Sequence, residues 1–180
     1  MKREIFQEIE IPAGVEAHIV GDVLKIKGDK GEHSKKFNIK NIDFGKTDKK
    51  IRIGSNKASK KEKKLINTAV SHIKNMIKGV KEGFEYKMKI AYSHFPMTVE
   101  IHGEEALIKN FLGEKIPRKA KILQGVDVKI NNEVITIFSH SKEKAGQTAA
   151  NFEKATRIVL RDRRVFQDGI FITNKAGSEI

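Results

Sequence analysis

The stretch Gly21-Asp22-Val23-Leu24-Lys25-Ile26 is met again as Gly103-Glu104-Glu105-Ala106-Leu107-Ile108, and the same offset carries Gly31-Glu32 onto Gly113-Glu114. At that offset Ile19 matches Ile101, and basic Lys36 matches Arg118. After a small change of offset, Ile51-Arg52-Ile53-Gly54-Ser55 corresponds to Ile135-Thr136-Ile137-Phe138-Ser139, and a helical segment follows each copy. Such self-similarity marks a duplicated structural unit. Two copies of one unit, strands first and a helix last, account for 180 residues better than a single domain does.

Local chemistry defines the parts of each copy. Ser59-Lys60-Lys61-Glu62 has capping-box spacing, which satisfies two orphan backbone donors and starts a helix near Ala58. Leu65, Ala69, Ile73, Met76, Ile77 and Val80 recur at helical spacing, and Gly79 or Gly83 ends the helix. The second helix is predicted from about Ser141 to Leu160, with Ala145, Ala149, Phe152, Thr156 and Val159 facing inward and no reciprocal Glu at its start. Phe84, Tyr86, Met88, Ile90 and Tyr92 alternate with polar residues, the pattern of a half-buried strand. Val126 to Ile130 and Val134 to Ile137 flank Asn131-Asn132-Glu133, a hairpin turn. The predicted architecture is therefore α+β: two tandem duplicated domains, 1–82 and 83–180, each a mostly antiparallel β-sheet packed by a C-terminal α-helix. The boundary near Lys81-Glu82 leaves a short linker, so a fairly fixed relative orientation is expected.

Charge points to the class of partner. With 36 Lys and Arg against 23 Asp and Glu, the formal charge is +13, which suits a polyanion because each neutralised phosphate releases condensed counterions. Cysteine is absent, which removes disulfides, thiolate catalysis and Cys-based zinc sites. The start, Met1-Lys2-Arg3-Glu4-Ile5-Phe6-Gln7, lacks a long apolar core, and no stretch approaches the roughly 18 apolar residues of a membrane span. A cytoplasmic protein with no membrane partner is expected. Aromatics are 7% with no Trp, too few for rows of stacking rings, so backbone and shape recognition of folded RNA is the better match, and DNA is not an expected partner.

Residues 1 to 82 carry 20 basic and 11 acidic side chains, a net +9, and the remainder 16 and 12, a net +4. The sum favours the N-terminal half, where Lys60, Lys61, Lys63 and Lys64 crowd the first turns of a helix against its dipole, but a solvated helix face has the same composition. A second dense cluster lies in the other half. Arg157, Arg161, Arg163 and Arg164 close the last helix and enter the following segment; the first two suit a helix C-terminus on dipole grounds alone, whereas the last two lie beyond it. Arg is the residue fitted to bidentate phosphate contact. Lys154 shares a face with Arg157 and Arg161 by spacing, and Lys142, Lys144, Gln147 and Asn151 lie toward the opposite end of that helix. No nucleotide-binding or hydrolase motif is present. Only His102-Gly103-Glu104-Glu105 sets imidazole beside carboxylates; its counterpart Val20-Gly21-Asp22-Val23 makes it a turn, so no catalytic residue, metal or cofactor is expected.

Four motifs bear a family resemblance: Ile11-Pro12-Ala13-Gly14-Val15, Tyr92-Ser93-His94-Phe95-Pro96, Gly146-Gln147-Thr148-Ala149-Ala150-Asn151, and Arg161-Asp162-Arg163-Arg164-Val165-Phe166-Gln167-Asp168-Gly169-Ile170-Phe171-Ile172. Over essentially its whole length the chain resembles large-subunit ribosomal protein six in its archaeal and eukaryotic form, a family built from a duplicated strand-and-helix domain. The resemblance implies a structural constituent of the large ribosomal subunit, not an enzyme. It implies binding of large-subunit ribosomal RNA mainly through the C-terminal domain, close to the sarcin–ricin loop where translational GTPases dock, with the N-terminal domain facing neighbouring ribosomal proteins. That overrules the charge sum. Carried onto this sequence, the implied contacts are Lys142, Lys144, Gln147, Asn151 and Lys154 with Arg161, Arg163, Arg164 and Lys175, and Gly169 as a point of close backbone approach or a tight bend. Arg157 joins them from the cluster itself. The alternative reading is a free-standing RNA-binding or ribosome-assembly factor using the same surface.

Overall fold

The computed structural model describes residues 3–37, 42–47 and 50–180. Met1 and Lys2 of the opening stretch lie outside that set. The chain divides into two compact units, Met1–Gly83 and Phe84–Ile180, each with its own hydrophobic core.

In the first unit β1 (Arg3–Glu10), β6 (Lys50–Ala58) and β5 (Asp43–Thr47) form an antiparallel sheet in the order β1-β6-β5, and β2 (Glu16–Val20), β3 (Val23–Gly28) and β4 (Gly31–Lys36) form a second, a meander. Helix α1 (Lys60–Lys81) starts on the predicted capping box, with Ser59 Oγ accepting the Lys61 N–H at 3.2 Å and the Glu62 carboxylate accepting the Ser59 N–H at 2.8 Å. It ends where Gly83, at φ +81°, donates to the Gly79 carbonyl, while Gly79 itself is buried within the helix. The buried stripe is Ile66, Ala69, Val70, Ile73, Met76, Gly79 and Val80. Leu65, expected inside, is 48% exposed, because Ile66 and Val70 set the phase of the stripe and Leu65 lies about 100° away from Ile66.

The second unit repeats the plan. β8 (Thr98–His102), β9 (Glu105–Lys109) and β10 (Arg118–Lys121) correspond to β2, β3 and β4; β11 (Val126–Asn131) and β12 (Val134–Ser139) to β5 and β6; and β7 (Phe84–Ala91), paired with β12, to β1. Asn132 at φ +52° turns the predicted β11–β12 hairpin. The alternating strand stops at Ala91, leaving Tyr92 exposed beyond it with its hydroxyl 3.4 Å from Glu133. After α2 (Lys142–Ala155), two strands without counterpart in the first unit, β13 (Gly169–Lys175) and β14 (Ser178–Glu179), extend the sheet to β11-β12-β7-β13-β14.

Strand pairing corrects one correspondence. Ile26 pairs with His33, whereas Ile108, its equivalent, pairs with Arg118, so the second copy has a longer loop here and Arg118 does not stand where Lys36 does. That loop holds a short 3-10 turn (Phe111–Gly113), and it buries Phe111.

Candidate nucleic-acid interface

Helix α2 begins at Ser141, whose Oγ accepts the Lys144 N–H at 3.4 Å, and buries Ala145, Thr148, Ala149 and Phe152. It stops at Ala155 rather than continuing to Leu160, so Val159 is 67% exposed and Leu160 fully exposed at φ +60°. Two contacts from outside the helix stop it. Buried Thr156 donates its hydroxyl to the Phe152 carbonyl at 3.2 Å and accepts the Ile170 N–H of β13 at 3.0 Å. Arg118 donates to the carbonyls of Ala155 at 2.9 Å and Arg157 at 3.3 Å, occupying acceptors that a further turn would have used. Arg118 is itself fixed by two bonds to the Glu114 carboxylate, at 2.6 and 2.8 Å, and lies 4.2 Å over the Phe111 ring. The bonded Arg118 holds the Glu114 carboxyl below its ordinary range.

The chain then makes a tight turn at Asp162, whose carbonyl accepts the N–H groups of Val165 and Phe166. Its carboxylate takes the Arg164 side chain and backbone N–H, which lowers its pKa. Arg161 stacks over the Phe166 ring at 4.8 Å. Buried Asp168 accepts both the N–H and the hydroxyl of Ser93, at 3.1 and 3.0 Å, tying the segment to the loop after β7. Between this segment, the end of α2 and the edge of β13 lies a cleft of about 680 Å³.

The cleft gathers four of the sequence-predicted residues, Lys154, Arg157, Arg163 and Arg164, along with Phe166 and Phe171. All four cations are exposed, and among the described residues no hydrogen bond or ion pair is made by the side chains of Lys154, Arg157 or Arg163. Arg157 and Arg161 stand beyond the helix, so they share no helical face with Lys154; Arg161 is next to the cleft, on Phe166. The other predicted residues are placed elsewhere. Lys144 Nζ donates to the Gln124 carbonyl, Gln147 to Asn151, and Asn151 to the Lys121 carbonyl at 2.8 Å, so Lys144 and Asn151, the latter buttressed by Gln147, fasten α2 to the end of β10 and the segment after it. Lys142 is exposed at the start of α2. Lys175 lies toward that same end, paired with Tyr86, whose hydroxyl stands against Gly146. Gly169 is buried in extended β13, where it makes no bend, and a Cβ would come within 2.9 Å of the Phe171 ring.

Comparison with known proteins gives the arrangement a family. The model for ribosomal protein L6 matches twice, over residues 11–83 and 95–169, one match in each structural unit. The chain belongs to the ribosomal protein L6 family. It is 46% identical over 171 residues to large ribosomal subunit protein uL6 of Methanobrevibacter smithii, covering 95% of this chain and 96% of the relative. The uL6 proteins of Methanococcus vannielii, 44% identical over 96% of this chain and 95% of theirs, and Sulfurisphaera tokodaii, 45% over 97% and 96%, are similar to the same extent.

Within this L6-family chain the one candidate acid–base cluster does not assemble. His102 contacts Glu100 at 3.4 Å rather than Glu104 or Glu105, while Lys109 and Lys119 neutralise Glu100 and Glu105. Lys109, and secondarily His102, keep Glu100 below the usual carboxylate range. Gly103, at φ +62°, makes the stretch a hairpin turn, and no group of metal-ligating side chains occurs among the described residues. Sequence reasoning missed Arg118 and Asp168, which shape the cleft. The Glu114/Arg118 spacing was the only local signal for the first, and it suggests a helix that is not there.

Proposed function

We propose that this chain is a non-enzymatic constituent of the large ribosomal subunit that binds large-subunit ribosomal RNA mainly through its C-terminal unit. The carrying observation is the convergence of Lys154, Arg157, Arg163 and Arg164 on one cleft, three of them without an intramolecular partner among the described residues. Mutually repelling cations are favourable together when phosphates lie between them. The relatives' name, large ribosomal subunit protein, supplies the particle, and with it the cytoplasm and neighbouring ribosomal proteins as partners. On this reading the rim of the cleft meets RNA near the sarcin–ricin loop, where translational GTPases dock. Lys142 and Lys175 contribute from the other end of α2. Lys144, Gln147 and Asn151 act first by holding that helix in place.

The test is titration of the full chain against large-subunit ribosomal RNA and an unrelated structured RNA over a range of salt. Chemical footprinting of the complex accompanies it. Preference for the ribosomal RNA, with protection at or beside the sarcin–ricin loop, is expected. Equal, steeply salt-dependent binding of both RNAs refutes it. Loss of the protein from salt-washed large subunits favours the transient assembly factor instead.

A further inference from the structure

The cleft contains more than a phosphate site needs. Besides its cationic rim it has an apolar interior: Phe166, Phe171, Ile158 and Ile170 line it, with Phe171 41% exposed and the Phe166 ring backed by the Arg161 guanidinium. An A-form duplex offers phosphates and 2′-hydroxyls, which a basic rim can meet, but nothing to fill an apolar cleft. An unstacked nucleotide offers a flat apolar face for an aromatic ring and a phosphate on each side. The volume, about 680 Å³, is in the range of sites that take ligands of this size, roughly 300–1,000 Å³.

Resting on the reading of the C-terminal unit as the RNA-binding one, we propose that this cleft receives a single unpaired nucleotide of the RNA, its base against Phe171 and Phe166 and its flanking phosphates on Arg157 and Arg163. The depth of the cleft adds a preference among bases. Glu153 accepts the Ile172 N–H through Oε1, and Asp168 accepts both Ser93 donors through Oδ1. Among the described residues the second oxygen of each makes no hydrogen bond, and both residues line the cleft. Carboxylate oxygens select a base edge that donates, so adenine, cytosine or guanine, each with an exocyclic amino group, is favoured over uracil, whose one donor on that edge, N3–H, is flanked by two carbonyls that the carboxylates repel.

The experiment compares the full chain on four RNA hairpins: fully paired, with one bulged adenosine, with one bulged uridine, and with an abasic bulge. The adenosine hairpin is expected to bind roughly tenfold tighter than the paired and abasic ones, the scale of one base stacked on an aromatic ring. Phe171→Leu, which keeps an apolar side chain on β13 but cannot stack, removes that advantage, and Phe166→Leu reduces it; thermal melting verifies that both variants fold. Equal binding of adenosine-bulged and abasic hairpins by the unaltered chain overturns the proposal, as does an advantage that survives both substitutions. Equal gain from uridine overturns the role given to Glu153 and Asp168. The same protein titrated on large-subunit ribosomal RNA separates the two readings: retained preference with indifferent hairpins removes only the nucleotide site, whereas lost preference removes the ribosomal one.

Discussion

The Arg118 guanidinium donates to the Ala155 carbonyl at 2.9 Å, so the first residue of β10, the strand that follows the longer loop of the second unit, ends a helix 37 positions later. The same fork holds Glu114 and reaches the Arg157 carbonyl, and it fixes the point from which the arginine segment departs. Arg118→Met is expected to lower stability by about 1.5–3 kcal/mol, the scale of bonds to a charged donor, and Arg118→Lys to recover little because a lysine lacks the planar fork. Urea denaturation of the three proteins measures it.

The Glu114–Arg118 pair also has a pH signature. Arg118 depresses the Glu114 carboxyl from its ordinary 4.5. A group depressed in the folded state binds more protons when unfolded, so its contribution is present above the unfolded value and is lost as pH falls through the folded one. The Glu114 side chain is 40% exposed, so the contribution is screened to under about 1 kcal/mol. Glu114→Gln should therefore be less stable than the unaltered chain at pH 7, and the two denaturation curves should converge on the acid side of 4.5.

Buried Thr156 covers an open strand edge. Its Oγ1 accepts the Ile170 N–H, as Glu153 Oε1 accepts that of Ile172 two residues on, so two edge donors of β13 are taken by α2 and the residue that caps it. Thr156→Val keeps the shape and orphans the Ile170 N–H, a loss of about 1–3 kcal/mol. Hydrogen exchange at Ile170 should rise more than at Ile137 of the interior strand β12. Equal protection at the two sites would mean that the edge is held by something else.

These contacts mark the limit of what was legible in the sequence. Ser59 and Glu62 could be read because a capping box is complete within four residues, and the β11–β12 hairpin because its turn is local. The end of α2 could not, since Thr156 and Val159 continue the helical spacing and termination comes from Arg118 and Ile170, both remote. The Lys36–Arg118 match failed because the longer loop of the second copy changes the pairing while a sequence offset does not register it. The arginine cluster was visible as composition. The cleft was not, because its walls come from α2, the Asp162 turn and β13.

The duplicated plan makes a prediction in the first unit. Phe6 pairs with Gly54 across β1 and β6, while the equivalent pair across β7 and β12 is Glu85 with Phe138, so the aromatic ring has changed strand between the two copies. A Cβ at Gly54 would collide with the Phe6 ring and the Ile5 carbonyl, and backbone cannot yield as a flexible side chain can. Gly54→Ala should destabilise by about 1–3 kcal/mol through overpacking, and Phe6→Ala in the same chain should relieve part of the collision. A double-mutant cycle reads that coupling; strict additivity would put the ring elsewhere.

Arg163 and Arg164 differ in the free protein in a way that RNA binding should expose. Arg164 is bound to the Asp162 carboxylate at 3.0 Å, whereas Arg163 makes no such bond among the described residues. If both meet phosphate, replacing the two by Ala lowers the salt slope of ribosomal RNA binding by roughly two units, and Arg163→Ala alone by about one. Arg164 must exchange its Asp162 partner for phosphate, so Asp162→Asn should raise affinity by releasing it, without altering the number of phosphates contacted. A slope that does not change in Arg163→Ala would assign that side chain to solvent and move the phosphate contacts to Lys154 and Arg157.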